Sequence, residues 1–537
     1  MRYSGTMRGA ALVVVCSLVP ACGKSSGSTD ATTATVPVTS ATTTQPAETG
    51  DTPTSAPELS EGPGPGDTGD ATTGEPQQQD LVAVGHGREL RAVWVATVSN
   101  INFPGSQGVD PDGQKAELAT ILDAVQQAGL NAVMLQVRPE SDALYASAIE
   151  PWSRYLTGTQ GEDPGYDPLT FAVEQAHARG LELHAWMNPY RAKANVDSTA
   201  AADHISQLYP EYAYEYAPAL WMDPGALPVQ DQLVAVIADV VSRYAVDGIH
   251  FDDYFYPYPN GEDFPDDATW AAYQDGGGTL GRADWRRDNV NRMVERVNAT
   301  ITLIEPRVRF GISPFGIYRP GMPRGIQGLD QYAELYADPL LWMQSGWLDY
   351  LAPQLYWPST QTPQAYAPLI EWWAGTTGGG RHVFAGNYLS KLGSDDAWTL
   401  DEFRAQIELT RAQAGQGARG NIYFHVGPIV ANQDGVADVL AAEYYATPAL
   451  TPPIAAQADV AVDPPSVTLG QVGALVSHQD PAGLRAWVVY RAEGEGWAID
   501  RIVPASQAQV PLDSGTWAIS AAGRHGVESL GVRVFVP

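Results

Sequence analysis

Cysteine is nearly absent from this chain: the 537 residues contain two, Cys16 and Cys22. With none further along, no disulfide framework can hold the rest together, so stability has to come from a packed core. Basic side chains are also scarce. The 31 lysines and arginines stand against 62 aspartates and glutamates, a formal net charge of −31. Such a surface repels polyanions, which argues against nucleic acid as a partner. The apolar run from Ala10 to Val19 is too short to span a membrane. His184, His250 and His425 fall in strand-like segments, but no His-x-His pair or Glu-x-x-His helix accompanies them. Neither a metal nor any other cofactor is therefore expected.

The amino-terminal segment has a recognisable order. Arg2 and Arg8 precede the apolar run, which ends in Val19-Pro20-Ala21-Cys22. Basic, then apolar, then small residues before a cysteine resemble a bacterial lipoprotein signal, although Pro20 is unusual there. Residues 1–21 are then a removed signal, and Cys22 is the lipidated amino terminus. A plain secretory peptide cut elsewhere is the alternative. Residues 22–80 are Thr, Ser, Pro, Gly, Ala and acidic residues with almost no large apolar side chain. They cannot bury enough surface to offset ordering entropy and are predicted to form a disordered tether. The expected address is the cell envelope, on a lipid anchor in the membrane, facing the periplasm or the exterior.

From Leu81 the pattern alternates strand and helix. Eight short apolar runs stand out: Leu90 to Val98, Ala132 to Val137, Leu181 to Met187, Gly248 to Phe251, Val308 to Ile312, Tyr350 to Leu355, Val383 to Ala385, and Ile422 to Val426. Amphipathic stretches such as Lys115 to Ala128, Pro168 to Arg179, Val229 to Tyr244 and Trp285 to Ile304 lie between them. Continuous apolar strands separated by helices indicate a parallel sheet, and eight units indicate a closed (β/α)8 TIM barrel over 81–450. An open doubly wound sheet is disfavoured because no glycine-rich phosphate turn follows the first strand. Residues 451–537 change character. Ala486 to Arg491, Trp497 to Val503 and Trp517 to Ala521 read as strands, and a β-sandwich resembling a fibronectin type III module is predicted.

The most telling segment is Asp247-Gly-Ile-His-Phe-Asp-Asp-Tyr-Phe-Tyr-Pro-Tyr258, an apolar strand running into paired carboxylates and a row of rings. Two carboxyl groups are what glycosidic cleavage needs, one to protonate the leaving oxygen and one to stabilise an oxocarbenium-like transition state. Asp pairs also cap helices or sit in solvated loops, and that reading stays open. Barrel enzymes act at the carboxyl ends of their strands. Those ends carry Trp94; Arg138, Glu140, Asp142 and Tyr145; Asn188, Tyr190 and Arg191; His250 and the aspartates; Arg319; Gln354, Tyr356 and Trp357; and Asn387.

Leu90-Arg-Ala-Val-Trp94, Gln136-Val-Arg-Pro139 with Asp142-Ala-Leu-Tyr145, Trp186-Met-Asn-Pro-Tyr-Arg191, the Asp247 to Pro257 stretch, Phe310-Gly-Ile-Ser-Pro-Phe-Gly316 and Pro353-Gln-Leu-Tyr-Trp357 occur in one order. Together they resemble the glycosyl hydrolase-like 10 family of bacterial barrel proteins, over roughly residues 88 to 430. The resemblance implies a glycosidase, and a member that cuts peptidoglycan strands lacking stem peptides makes that polysaccharide the expected substrate. Analogy with barrel glycosidases carrying Asp-Gly-x-x-x-Asp on the fourth strand makes Asp252 the nucleophile or transition-state stabiliser. Successive strand residues face opposite ways, so Asp253 is assigned a supporting role and Glu140 that of proton donor. Trp94, Tyr190, Tyr254, Tyr256, Tyr356 and Trp357 are candidate sugar platforms. Arg138, Arg191 and Arg319 are candidates for a lactyl carboxylate. Asp142, Tyr145, Asn188, His250, Gln354 and Asn387 complete the expected binding set. Asn387 stands where retaining barrels carry a seventh-strand glutamate, and Tyr254 where chitinase-like enzymes carry theirs, so neither mechanism transfers directly. A metal-dependent sugar deacetylase and a non-catalytic glycan-binding lipoprotein are the alternatives.

Overall fold

A computed structural model describes residues 79–537. Cys22, the signal and nearly all of the tether lie outside the described residues.

Eight strands form the centre: β1 (Leu90–Val95), β2 (Ala132–Arg138), β3 (Glu182–Met187), β4 (Gly248–Phe251), β5 (Arg309–Ile312), β6 (Tyr350–Leu351), β7 (His382–Asn387) and β8 (Ala418–Tyr423). Each pairs with the next in parallel, and β8 pairs with β1, closing the predicted barrel. One main helix lies in each connection: α1 (Pro111–Gln127), α2 (Pro168–Ala178), α3 (Leu227–Arg243), α4 (Arg282–Ile304), α5 (Pro339–Gln344), α6 (Tyr366–Ala374) and α7 (Leu400–Ala412). Three of them start with the same chemistry, Asp110-Pro111, Asp167-Pro168 and Asp338-Pro339. The aspartate accepts first-turn N–H groups while proline, which has none to leave unpaired, occupies the first helical position. Along α1, Leu118, Ile121, Leu122 and Val125 are buried, the stripe that turns the helix onto the sheet.

The strands are buried on both faces, which explains their unbroken apolar runs. Their outer side chains join the helices in one large cluster. The inner ones form a second, with Trp94, Met134, Trp186, Tyr350 and Phe384 filling the barrel.

The carboxyl-terminal region is two facing sheets. One is β9 (Ser466–Leu469), β10 (Ala474–Ser477) and β13 (Gln509–Val510); the other runs in the order β15 (Gly531–Val536), β14 (Gly515–Gly523), β11 (Leu484–Glu493), β12 (Gly496–Pro504). Trp487, Val489, Trp517 and Ile519 of one sheet pack on Ala474, Val476 and Val510 of the other. Leu81–Val82, which the sequence reading assigns to the barrel, adds a strand beside β15 instead. A two-residue strand carries no periodicity from which its sheet could be read.

Candidate active site

β4 ends at Phe251, so Asp252 and Asp253 stand just beyond it at the barrel mouth. The side chain of Asp252 is 5% exposed. Trp186 Nε1 donates to its Oδ2 at 3.0 Å, Asn188 Nδ2 donates to the same oxygen, and the Tyr254 N–H approaches Oδ1 at 3.4 Å. Burial pushes its pKa up, Arg191 opposes this and Asp253 adds to it, leaving the carboxyl at about 7. Asp253 is equally buried, accepts the Tyr258 hydroxyl and is also held by Gln354; burial again pushes its pKa up. The Tyr356 hydroxyl lies within the field of both aspartates, and its ring stacks on Tyr388 with centroids 4.5 Å apart. The two carboxylates take different side-chain partners, but strand alternation is not what separates them, because both lie past the end of β4.

The donors around Asp252 are themselves oriented. Asn188 Oδ1 accepts Gln136 Nε2 at 2.6 Å and Arg191 Nη2 at 2.9 Å, which leaves the amide nitrogen to face the carboxylate. Gln136 is fixed in turn by the N–H groups of Thr97 and Val98, each 2.9 Å from its Oε1. Arg191 donates to the Pro139 carbonyl at 3.1 Å and lies over the Tyr254 ring, 5.3 Å from its centroid. Gln354, Tyr254, Tyr356 and Trp357 are half-buried at the same end.

Other predicted residues are used elsewhere. Glu140 is buried against Arg154, 2.9 Å away, and the Ala194 N–H, while burial and Asp142 push its pKa up. It braces a loop. Asp142 accepts Gln160 Nε2 at 3.0 Å and the Glu140 N–H at 3.1 Å, closing the same loop. Arg138 forms a buried two-bond pair with Glu150, at 2.5 and 2.8 Å, and donates to the Asn188 carbonyl at 2.6 Å. Arg319 pairs with Asp330 at 3.2 Å on the exposed side and covers Tyr332. No three-arginine cluster exists, because only Arg191 stands beside Asp252. Tyr190 and Tyr256 are core residues rather than platforms, and Tyr145, expected in the binding set, is buried in the same core. Asn387 donates to Gln406 at 2.8 Å and Tyr366 at 3.1 Å, toward the helix layer. Trp94 and His250 are buried below the mouth, joined by a 3.0 Å bond from Trp94 Nε1 to His250 Nε2. Strand-end position marks all of these alike, whereas the direction of each side chain depends on partners far along the chain.

Trp186, Tyr258 and Tyr388 are site residues to which the sequence reading gave no role, although Tyr258 and Tyr388 stand in strand-end segments that it singles out. Trp186 and Asn188 both reach Asp252 Oδ2, a convergence that no local pattern announces because Asn188 lies past the end of β3. Among the described residues no group of three or more His, Cys, Asp or Glu side chains is arranged to hold a metal ion.

The family model described as glycosyl hydrolase-like 10 matches residues 89–395, from β1 through β7 and including both aspartates. The chain belongs to this family. Within the glycosyl hydrolase-like 10 group it is similar to the glycosyl hydrolase YngK of Bacillus subtilis, 39% identical over 76% of this chain and 84% of that protein. It is also similar to the glycosyl hydrolase DigH of Escherichia coli K12, 37% identical over 60% of this chain and 80% of that one. Among solved structures, the glycoside hydrolase domain of PgaB from Bordetella bronchiseptica aligns with a TM-score of 0.45 at 15% identity, covering 66% of this chain and 98% of that domain.

Proposed function

We propose that this protein is a glycoside hydrolase that cuts peptide-free peptidoglycan strands in the cell envelope. The observation that carries the reading is the buried aspartate pair at the mouth, with Asp252 titrating at about 7. A carboxyl that is about half protonated at neutral pH is suited to give its proton to a leaving glycosidic oxygen. Both side-chain donors take Oδ2 of Asp252, which leaves Oδ1 as the oxygen to carry that proton. The proton donor expected at Glu140 thus moves to Asp252. Asn387 turns away at the end of β7, where a second nucleophilic carboxylate would stand, so the acetamido group of an N-acetylated sugar supplies the attack on the anomeric carbon. Asp253, with Tyr258 and Tyr356 beside it, orients that group and stabilises the charge it develops. The stacked Tyr356 and Tyr388 offer a sugar platform. Recognition of a lactyl carboxylate reduces to Arg191.

The address is part of the same proposal: Cys22 carries lipid and the barrel works from the membrane surface. Mature protein would be incubated with peptide-stripped glycan, intact peptidoglycan and chitin oligomers, and the products separated by mass. Cleavage of the stripped glycan in preference to chitin is the expected result, and Cys22→Ser should leave the membrane fraction. Equal cleavage of chitin would overturn the lactyl argument, and cleavage of none would leave a glycan-binding protein.

A further inference from the structure

Across the mouth from Asp252, the end of β8 presents a histidine whose hydrogen-bonding sense is fixed. His425 lies two residues past β8, which stands four places from β4 in the closed ring of eight strands. The Ala96 N–H donates to Asn102 Oδ1 at 2.9 Å, so the amide nitrogen of Asn102 is the atom that faces His425 Nδ1, at 3.1 Å. The Gly427 N–H donates to the same ring nitrogen at 3.1 Å. Both groups can only donate, so Nδ1 is an acceptor and the ring carries its proton on Nε2. Burial lowers the pKa of His425 to about 4, and the ring is neutral at neutral pH. Glycine is needed at 427 for this approach, since a Cβ there would lie 2.9 Å from His425 Cε1 and 3.0 Å from Nδ1.

The Nε2–H is the donor left over. Among the described residues no group accepts it, and the half-buried ring leaves this atom open to solvent. Phe424, the preceding residue, is half-buried as well. Its ring centroid lies 5.5 Å from that of His425, 5.9 Å from that of Tyr356 and 6.1 Å from that of Tyr388. The stacked tyrosines therefore continue round the rim into an apolar ring edged by one neutral donor. Such a pair suits an acetamido group, whose carbonyl accepts the N–H while its methyl packs on the ring. A hydroxyl would satisfy the donor but offer the ring nothing apolar.

We infer that Phe424 and His425 form a second sugar subsite, which selects the acetamido group of a unit other than the one held at Asp252. The inference rests on the glycan reading of the mouth and deepens it, because it names a residue that recognises N-acetylated sugars away from the cleavage point. His425 is a binding residue and exchanges no proton with the substrate.

Binding would be measured on full-length Asp252→Asn protein labelled with 15N-histidine, and cleavage of peptide-stripped glycan on the parent, so that the two readings fail separately. The probes are the N-acetylated chitin tetramer and cellotetraose, which share a linkage and differ in the acetamido group. Without ligand, His425 should report a proton on Nε2. The chitin tetramer should shift that nitrogen, and cellotetraose should leave it in place. Adding His425→Phe should weaken binding of the chitin tetramer about tenfold, and His425→Gln, whose amide nitrogen reaches the same position, should restore most of the affinity. An unshifted His425 in the presence of bound tetramer would overturn the inference, as would a proton on Nδ1, equal affinity for the two tetramers or none for the chitin tetramer. Cleavage by the parent alongside any of those results leaves the glycosidase reading standing. A shifted His425 without cleavage supports the subsite and ends that reading.

Discussion

Asp247 and Asp252 lie five residues apart, one at the foot of β4 and one past its head. Both are buried, and burial pushes each toward the neutral form. At the foot, the His177 ring at 2.8 Å and the Leu183 N–H at 2.9 Å outweigh burial, and the pKa of Asp247 falls below the usual carboxylate range. At the mouth, Asp252 also has donors, but Arg191 is its main cationic influence, and Asp253 adds a like charge; its pKa rises to about 7. The same residue type on either side of one strand is therefore held ionised at one end and pushed toward its neutral form at the other. What differs is the balance of charge brought in by neighbouring elements. At the floor the neighbouring charges and donors outweigh burial, while at the mouth burial and the adjacent aspartate outweigh Arg191.

Four measurements sharpen or break this contrast. The largest effect is expected for Asp252→Asn, which should lower turnover of stripped glycan by about 10²- to 10⁴-fold while glycan affinity persists. In the parent, kcat/KM should fall as pH rises through about 7. A folded Asp252→Asn protein with near-parental turnover would end the catalytic reading of the mouth. Next, Arg138→Ala leaves Glu150 buried without its cation and should cost about 3–5 kcal/mol in denaturant unfolding. Its effect on the ratio of peptidoglycan to chitin cleavage should be nil, and a changed ratio would return Arg138 to substrate binding.

The two aspartates should then show opposite signs in stability. A raised native pKa means that the stabilising contribution of Asp252 is present below the unfolded pKa and is lost as pH rises through about 7. Asp252→Asn should therefore stabilise the protein at pH 8, by on the order of 2 kcal/mol, and gain nothing at pH 4. The lowered native pKa of Asp247 means that its contribution is present above the unfolded pKa and lost as acid protonates it. Asp247→Asn should cost about 1–3 kcal/mol at pH 8. Unfolding midpoints at the two pH values check both, and equal signs would dissolve the comparison. The smallest effect belongs to Arg319→Ala, an exposed pair expected to contribute under about 1 kcal/mol and nothing to substrate preference.

Local pattern carried the architecture. Runs buried on both faces, helices between them and the count of eight specify a closed parallel barrel, and β4 was legible to the residue because Gly248–Phe251 is bounded by charged residues on both sides. β6 was not, being two residues long where an apolar run of six suggested more, because Pro353 and the turn beyond it take the chain out of the sheet. The paired aspartates were likewise visible, since an apolar strand ending in two acids is a local feature. Their partners were not. Arg138 and Arg191 look alike at strand ends, yet one is claimed by Glu150 and the other by Asn188 and Tyr254. Nothing near Glu182 in the chain announces that Arg485 will meet it. The sequence by itself determined which elements form and where the acids stand, because periodicity and strand ends are short-range properties. Tertiary structure alone decided which acid is paired and which is left to titrate near neutrality, because charge balance in a buried site is summed over side chains that only folding brings together.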